Sequence, residues 1–263
     1  MPDAYVSSDT HNGITTVEFF HPQSNSLPSH LLQELARNIK RAGEDTVTQV
    51  IILRSAGDRS FCAGASFEEL SSITNEQEGL RFFSGFANVI NAMRHCPKLI
   101  IGRIHGKCVG GGVGLAAAMD YAIATEGADI KLSELAVGIG PFVVGPAVER
   151  KIGVSAFSQL AIDATTWRNA DWARRKGLYA ELHASTEDMD ESVNRLANTL
   201  MRSSPDAMTA LKNIFWRGTE NWDHLLIERA AISGKLILSD HSKQAIDKFR
   251  KNKHSKIVSV LIR

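Results

Sequence analysis

The chain has 263 residues, of which 43% are hydrophobic and 22% charged, with a formal net charge of +1. That length allows one large domain, or a domain with an appended subdomain, around a real core, and the near-neutral balance gives no reason to expect nucleic acid or an anionic membrane as the main partner. Cys62, Cys96 and Cys108 cannot all pair and none stands in a C-x-x-C, so no disulfide framework or thiolate metal site is expected. A resident cofactor is not expected either.

The N-terminus, MPDAYVSSD, has neither an apolar h-region nor an Arg-rich transit pattern, and no apolar run is long enough to span a bilayer. A cytoplasmic location is expected. Residues 14–20, ITTVEFF, read as a strand, and residues 21–28 as a turn-rich connection. Leu31, Leu32, Leu35, Ile39 and Ala42 recur with helical spacing. The short apolar run from Val50 to Leu53 has the character of a strand buried on both faces. A glycine-punctuated loop follows and leads into a helix near Glu68, with Ser66 as a candidate N-cap. A helix is predicted from Glu78 to Met93, ending at Cys96-Pro97, and a strand over Leu99–Ile104. Tyr121–Thr125 is strand-like, while Lys131–Leu135 is ambiguous. Alternating strands and helices favour an α/β architecture with mostly parallel pairing. Beyond about residue 145 the segments near 154–162, 170–176, 188–201, 205–215, 224–238 and 243–250 all carry helical spacing. The later ones bring Leu211, Ile214, Leu225, Leu226, Ile232, Leu236 and Ile237, an apolar stripe that must be buried against the core or against a neighbouring subunit. Residues 248–256, KFRKNKHSK, form a basic run that suits either a solvated face or phosphate contact.

The stretch IHGKCVGGGVGLAAAMD, from Ile104 to Asp120, sets Gly110, Gly111 and Gly112 between a strand and an Ala-rich helix start. Such an arrangement offers bare N–H groups to an anion. A dinucleotide fingerprint is one reading, since residues 112–117 fit G-x-G-x-x-A and Glu134 lies about where a ribose ligand would stand. However, His105–Val109 separates the motif from its strand, and Leu115–Met119 is short for a crossover helix. No P-loop pattern occurs, and a purely structural glycine turn remains open.

A second stretch, Phe61-Cys62-Ala63-Gly64-Ala65, repeats the design of small residues between a buried strand and a helix. The two loops belong to an ordered set. It comprises Asn25-Ser26-Leu27, the Val50–Leu53 strand, Pro97, His105-Gly106, Gly110-Gly111-Gly112, Asp120, Glu134 with Gly138 and Pro141, and Gly177-Leu178. With this set the chain resembles the enoyl-CoA hydratase/isomerase (crotonase) superfamily over nearly its whole length. The resemblance implies an α/β fold with a ββα spiral core over residues 1–190 and a C-terminal helical subdomain over 191–263. That subdomain would serve trimerisation, with the trimer commonly doubled to a hexamer.

The resemblance also implies an acyl-CoA substrate, with coenzyme A bound as part of it, and an enolate held by two backbone N–H groups. Carried onto this sequence, those donors are Cys62 and Gly111, with Ala63, Gly64, Ala65, Gly110, Gly114, Pro141 and Phe142 in the substrate site. Where hydratases of the family carry two glutamates, this chain has Gly114 at the first position and Glu134 at the second. One base suffices to move a double bond from C3 to C2, so double-bond isomerisation of a 3-enoyl-CoA is expected ahead of hydration of a 2-enoyl-CoA, branched ones included. The alternative from another class is a catalytically degenerate member that binds CoA or RNA, with nucleic acid the less expected. The family's P-G-x-G-G loop reads here as Pro141-Phe142-Val143-Val144-Gly145, which implies a reshaped acyl pocket. Phe249, Arg250 and Lys251 loosely match a contact to the CoA phosphates.

Overall fold

The structure, a computed structural model, describes residues 3–248 and 250. Strands β1 (Tyr5–His11) and β2 (Ile14–Phe20) form an antiparallel hairpin with His11 opposite Ile14. Its two-residue turn is Asn12-Gly13, both at positive φ (49° and 79°), the turn chemistry that matches strand twist. Helix α1 (Ser29–Glu44) then lays its apolar stripe, Leu31, Leu32, Leu35 and Ile39, into the core.

Three successive units follow, each placing its first strand in one sheet and its second in another. The first is β3 (Val50–Ser55) and β4 (Ser60–Cys62), followed by α2 (Phe67–Leu70) and α3 (Glu76–His95). Next come β5 (Leu99–Ile104) and β6 (Lys107–Val109) with α4 (Gly111–Ala118), then β7 (Tyr121–Thr125) and β8 (Ile130–Lys131) with a 3-10 turn (Glu134–Val137) and α5 (Gly145–Ile162). The large sheet runs β1-β2-β3-β5-β7-β9, with β9 spanning Glu181–His183, and is parallel from β2 onward. The small sheet runs β4-β6-β8, all parallel. The result is a ββα spiral, as the sequence led one to expect.

β3 and β5 pair Ile51 with Ile100 and Ile52 with Ile101, so these side chains leave water together, each worth about 1.5–3 kcal/mol. α4 is buried on every face, which explains its Gly and Ala content. All three loops that follow the strands of the small sheet emerge on one side of the molecule, and that placement builds the site.

Helix α6 (Ala170–Arg175) precedes β9, and α7 (Thr186–Leu200) packs Met189, Val193 and Ala197 onto Val50, Ile52, Ile101 and Ile123 of the sheet. The boundary expected between residues 190 and 191 therefore falls inside a helix that belongs to the core. Beyond it, α8 (Pro205–Phe215) is anchored under β5, and α9 (Trp222–Leu236) lies along α3. The α3–α9 contact is close enough that a Cβ added at Gly79 would lie 2.6 Å from the Gly234 Cα. The C-terminal apolar stripe divides accordingly. Leu226, Ala230 and Ile237 are buried within the chain, whereas Leu211, Ile214, Phe215, Ile232 and Leu236 keep exposed surface. A last helix, α10 (240–248), turns back over the 3-10 turn. Among the described residues no helix is long and apolar enough to cross a membrane.

Candidate active site

A cavity of about 1030 Å³ opens where the three loops meet α3 and α10. Its first wall is the loop after β4. Asn25 pins the approach to that loop, donating from Nδ2 to the carbonyls of Ala56 (2.8 Å) and Ser60 (2.9 Å) and accepting the His21 N–H at Oδ1. Leu27 N–H then donates to Gly64 O (2.8 Å), and Ser66 N–H donates to Leu27 O (3.1 Å). These two bonds flank Ala65, so its own N–H turns away from Leu27 and has no partner among the described residues. Ala65 lines the cavity. Gly64 makes the turn at φ 88°, against the Val109 carbonyl, where a side chain would be strained and crowded.

The second wall is the loop after β6. Gly110, at φ 51°, donates its N–H to Lys131 O (2.8 Å), and Gly111 opens α4. As the first helical residue, Gly111 has no intrahelical partner for its N–H, and the helix dipole reinforces that donor. The Phe86 ring lies against it, so close that an added Cβ would sit 2.2 Å from the ring. The two loops touch: a Cβ at Gly64 would be 3.6 Å from the Gly111 nitrogen. Two unpartnered backbone donors on adjoining cavity walls can share one oxygen.

The third wall carries Glu134, first residue of the 3-10 turn, closed by Ile139 N–H to Glu134 O (3.2 Å). One oxygen, Oε1, faces Gly110, where an added Cβ would be 2.9 Å away. The other, Oε2, is enclosed and has no hydrogen-bond partner among the described residues. Burial raises the carboxyl to about 7, offset in part by the backbone amides of Glu134 and Ser133. Among the described residues it is the one carboxylate lining the cavity. Its neighbours there include Phe82, Phe83 and Phe86 of α3, with Ile139, Pro141 and Phe142.

Gly114 lies one turn into α4, beneath the cavity wall. A Cβ there would stand 2.5 Å from Val144 Cγ1 and 2.6 Å from Val144 Cβ. The missing side chain at 114 and the branched one at 144 are thus two halves of one packing solution.

The structure brings Ala63, Gly64, Ala65, Gly110, Gly111, Glu134, Pro141 and Phe142 together around the cavity. It corrects the placement of Cys62. That residue sits in β4 opposite Cys108 of β6, is fully buried, and does not reach the cavity wall. Burial pushes its thiol up to about 12, so it is no nucleophile. The donor-bearing position of the first loop is Ala65, three residues on. Of the expected phosphate contacts, Arg250 donates to the Ser71 hydroxyl at the end of α2, while Phe249 and Lys251 lie outside the described residues. Lys248, on α10, lines the cavity instead. Lys131 and the three α3 phenylalanines escape a reading of the sequence, because aromatic residues at helical spacing look like ordinary core.

A spiral of ββα units thus sets two unpartnered backbone donors and one buried carboxylate on the walls of a single cavity. The family model described as enoyl-CoA hydratase/isomerase matches residues 9–256, and the chain belongs to that family. A peroxisomal Δ(3,5)-Δ(2,4)-dienoyl-CoA isomerase from Arabidopsis thaliana is 26% identical over 238 residues, covering 84% of each chain. A short-chain-enoyl-CoA hydratase from Clostridium acetobutylicum is 28% identical over 227 residues, covering 86% of each. Among solved structures, an enoyl-CoA hydratase from Bacillus halodurans superposes with a TM-score of 0.85 at 21% identity, covering 93% of this chain and 99% of that one. The last likeness speaks for the fold alone.

Proposed function

We propose that this chain is an enoyl-CoA isomerase that converts a 3-enoyl-CoA to a 2-enoyl-CoA, with Glu134 as its single base. The thioester oxygen accepts hydrogen bonds from the Ala65 and Gly111 N–H groups. Glu134 takes a proton from C2, and the electron pair moves into the conjugated dienolate, placing negative charge on that oxygen. The protonated carboxyl then returns the proton to C4, leaving the double bond between C2 and C3. A carboxyl near pH 7 serves both steps, being basic enough to accept and acidic enough to give back. The two backbone donors stabilise charge that exists only during the reaction, each worth about 2.7–4 kcal/mol in sites of this kind.

The observation that carries the reading is the contact of Gly114 with Val144. Hydration needs a second group to activate water, and here the position that would supply it has no side chain and no room for one. Incubating the protein with a 3-enoyl-CoA and, separately, with a 2-enoyl-CoA tests the assignment. Isomerisation of the first is expected; rapid conversion of the second to a 3-hydroxyacyl-CoA would overturn it in favour of a hydratase.

The exposed Leu211, Ile214, Phe215, Ile232 and Leu236 support assembly into a trimer, or a hexamer made of two, through α8 and α9. Sedimentation at micromolar concentration would report it, and a monomer there would refute it.

A further inference from the structure

At the edge of the cavity two lysines share one indole. Lys131 Nζ lies 4.5 Å from the centre of the Trp167 ring and Lys107 Nζ lies 4.8 Å from it. The backbone beneath it is tied together. Ile130 and Arg168 exchange two backbone hydrogen bonds (2.8 and 3.0 Å), which dock Trp167 beside β8, and β6 pairs with β8 through Val109 and Lys131. Neither ammonium forms an ion pair or hydrogen bond with another described residue. Burial, and the like charge of Lys107, lower the Lys131 ammonium from its usual range. Two cations held near each other without a counter-charge raise each other's cost, and the ring recovers only part of it. Lys131 also lines the cavity, and Ala164 and Thr165, on the segment that carries Trp167, continue the same wall.

We propose that Lys107, Lys131 and Trp167 form an anion subsite at the cavity edge, which receives a phosphate or carboxylate group of the bound acyl thioester. The proposal rests on the acyl-CoA reading above and deepens it, because the anion that docks there fixes which end of the substrate lies at this wall. Within an acyl-CoA the candidates are the diphosphate, the 3′-phosphate and a carboxylate at the end of the acyl chain. Neither lysine belongs to the proton-transfer machinery, and Lys131 is not among the charges that set the Glu134 carboxyl.

Titration calorimetry on the full chain and on Lys107→Met, Lys131→Met and the double variant tests this. Four ligands serve: pentanoyl-pantetheine, pentanoyl-dephospho-CoA, pentanoyl-CoA and glutaryl-CoA. The double variant is expected to lose about tenfold or more in affinity for the ligands that carry the docking anion, with pentanoyl-pantetheine unchanged within about twofold. A loss beginning with the dephospho-CoA ester identifies the diphosphate; one beginning with pentanoyl-CoA identifies the 3′-phosphate. A loss seen with glutaryl-CoA alone identifies an acyl carboxylate. Lys131→Arg should restore most of the affinity, and unchanged melting temperatures would show that the variants fold. The subsite is refuted if the double variant binds all four ligands like the parent, or if pentanoyl-pantetheine suffers equally. Failure of the parent protein to bind pentanoyl-CoA is a different result, which overturns the acyl-CoA reading and this subsite with it.

Discussion

Two buried carboxylates, Asp120 and Glu134, stand 14 residues apart in sequence and live under opposite rules. Asp120 is satisfied on every side. Its Oδ2 accepts the Ile100 N–H (2.8 Å) and pairs with Lys212 Nζ (2.9 Å), while Oδ1 accepts the Trp216 indole N–H (3.3 Å). Lys212 in turn donates to Lys98 O (2.7 Å), so the pair ties α8 to the start of β5. Glu134 has burial without satisfaction: among the described residues Oε2 has no partner and no cation stands close enough to steady the charge. The first arrangement pairs its carboxyl group on both oxygens and locks it in place to hold a fold. The second leaves a proton free to come and go, which suits a catalytic base and costs stability.

The largest effect expected on this contrast is at Glu134 itself. Glu134→Gln should lower turnover of a 3-enoyl-CoA by about 10²- to 10⁴-fold while the protein becomes more stable at pH 8, by roughly 1–3 kcal/mol in chemical denaturation. Asp120→Ala should do the reverse. It strands the Lys212 ammonium in the core and should cost about 3–5 kcal/mol of stability, with little loss of turnover per folded molecule. Gly114→Ala should cost about 1–3 kcal/mol through the clash with Val144, and Val144→Gly, which removes both clashing carbons, should relieve it in the double variant. Additive effects in that cycle would mean that the two positions are not coupled.

The pH dependence is subtler and its sign is fixed. The folded-state value of Glu134, about 7, lies above its ordinary 4.5, so between those values the folded protein keeps a proton the unfolded chain has lost. This group therefore makes stability fall as pH rises from 4.5 to 7, whereas kcat/KM should rise through pH 7 and level off. Both trends should vanish or flatten in Glu134→Gln. The smallest effect is expected from thiol-blocking reagents, which should leave activity unchanged because Cys62 is buried with its thiol pushed up to about 12.

The long elements were legible because their patterns are strong. β3 and β5 are apolar runs, and α1 repeats its leucines on one face. Ser66 caps α2 as expected, accepting the Glu69 N–H at 3.3 Å. The two- and three-residue strands β4, β6, β8 and β9 were not legible, since so few residues carry no period. β1 was missed for a different reason: as a polar edge strand it lacks an apolar face, and the Asn12-Gly13 pair, turn chemistry that marks a hairpin, went unread. Glu134 and the glycine loops were found through the resemblance rather than through any periodicity. Ala65 was named as a substrate contact, but its role as donor depends on the Leu27 pairing, a contact between residues 38 positions apart that no local pattern reveals. Gly114 and the bulky loop after Pro141 were each visible as departures. That Val144 fills the space over Gly114 is a fact of three dimensions.

A 3-enoyl-CoA deuterated at C2, followed by NMR in ordinary water, reports whether Glu134 alone carries one proton from C2 to C4. The expected product is 2-enoyl-CoA with part of the deuterium at C4, with no such transfer in Glu134→Gln. A hydroxyl at C3 of the product, or label transfer that survives in Glu134→Gln, would contradict it.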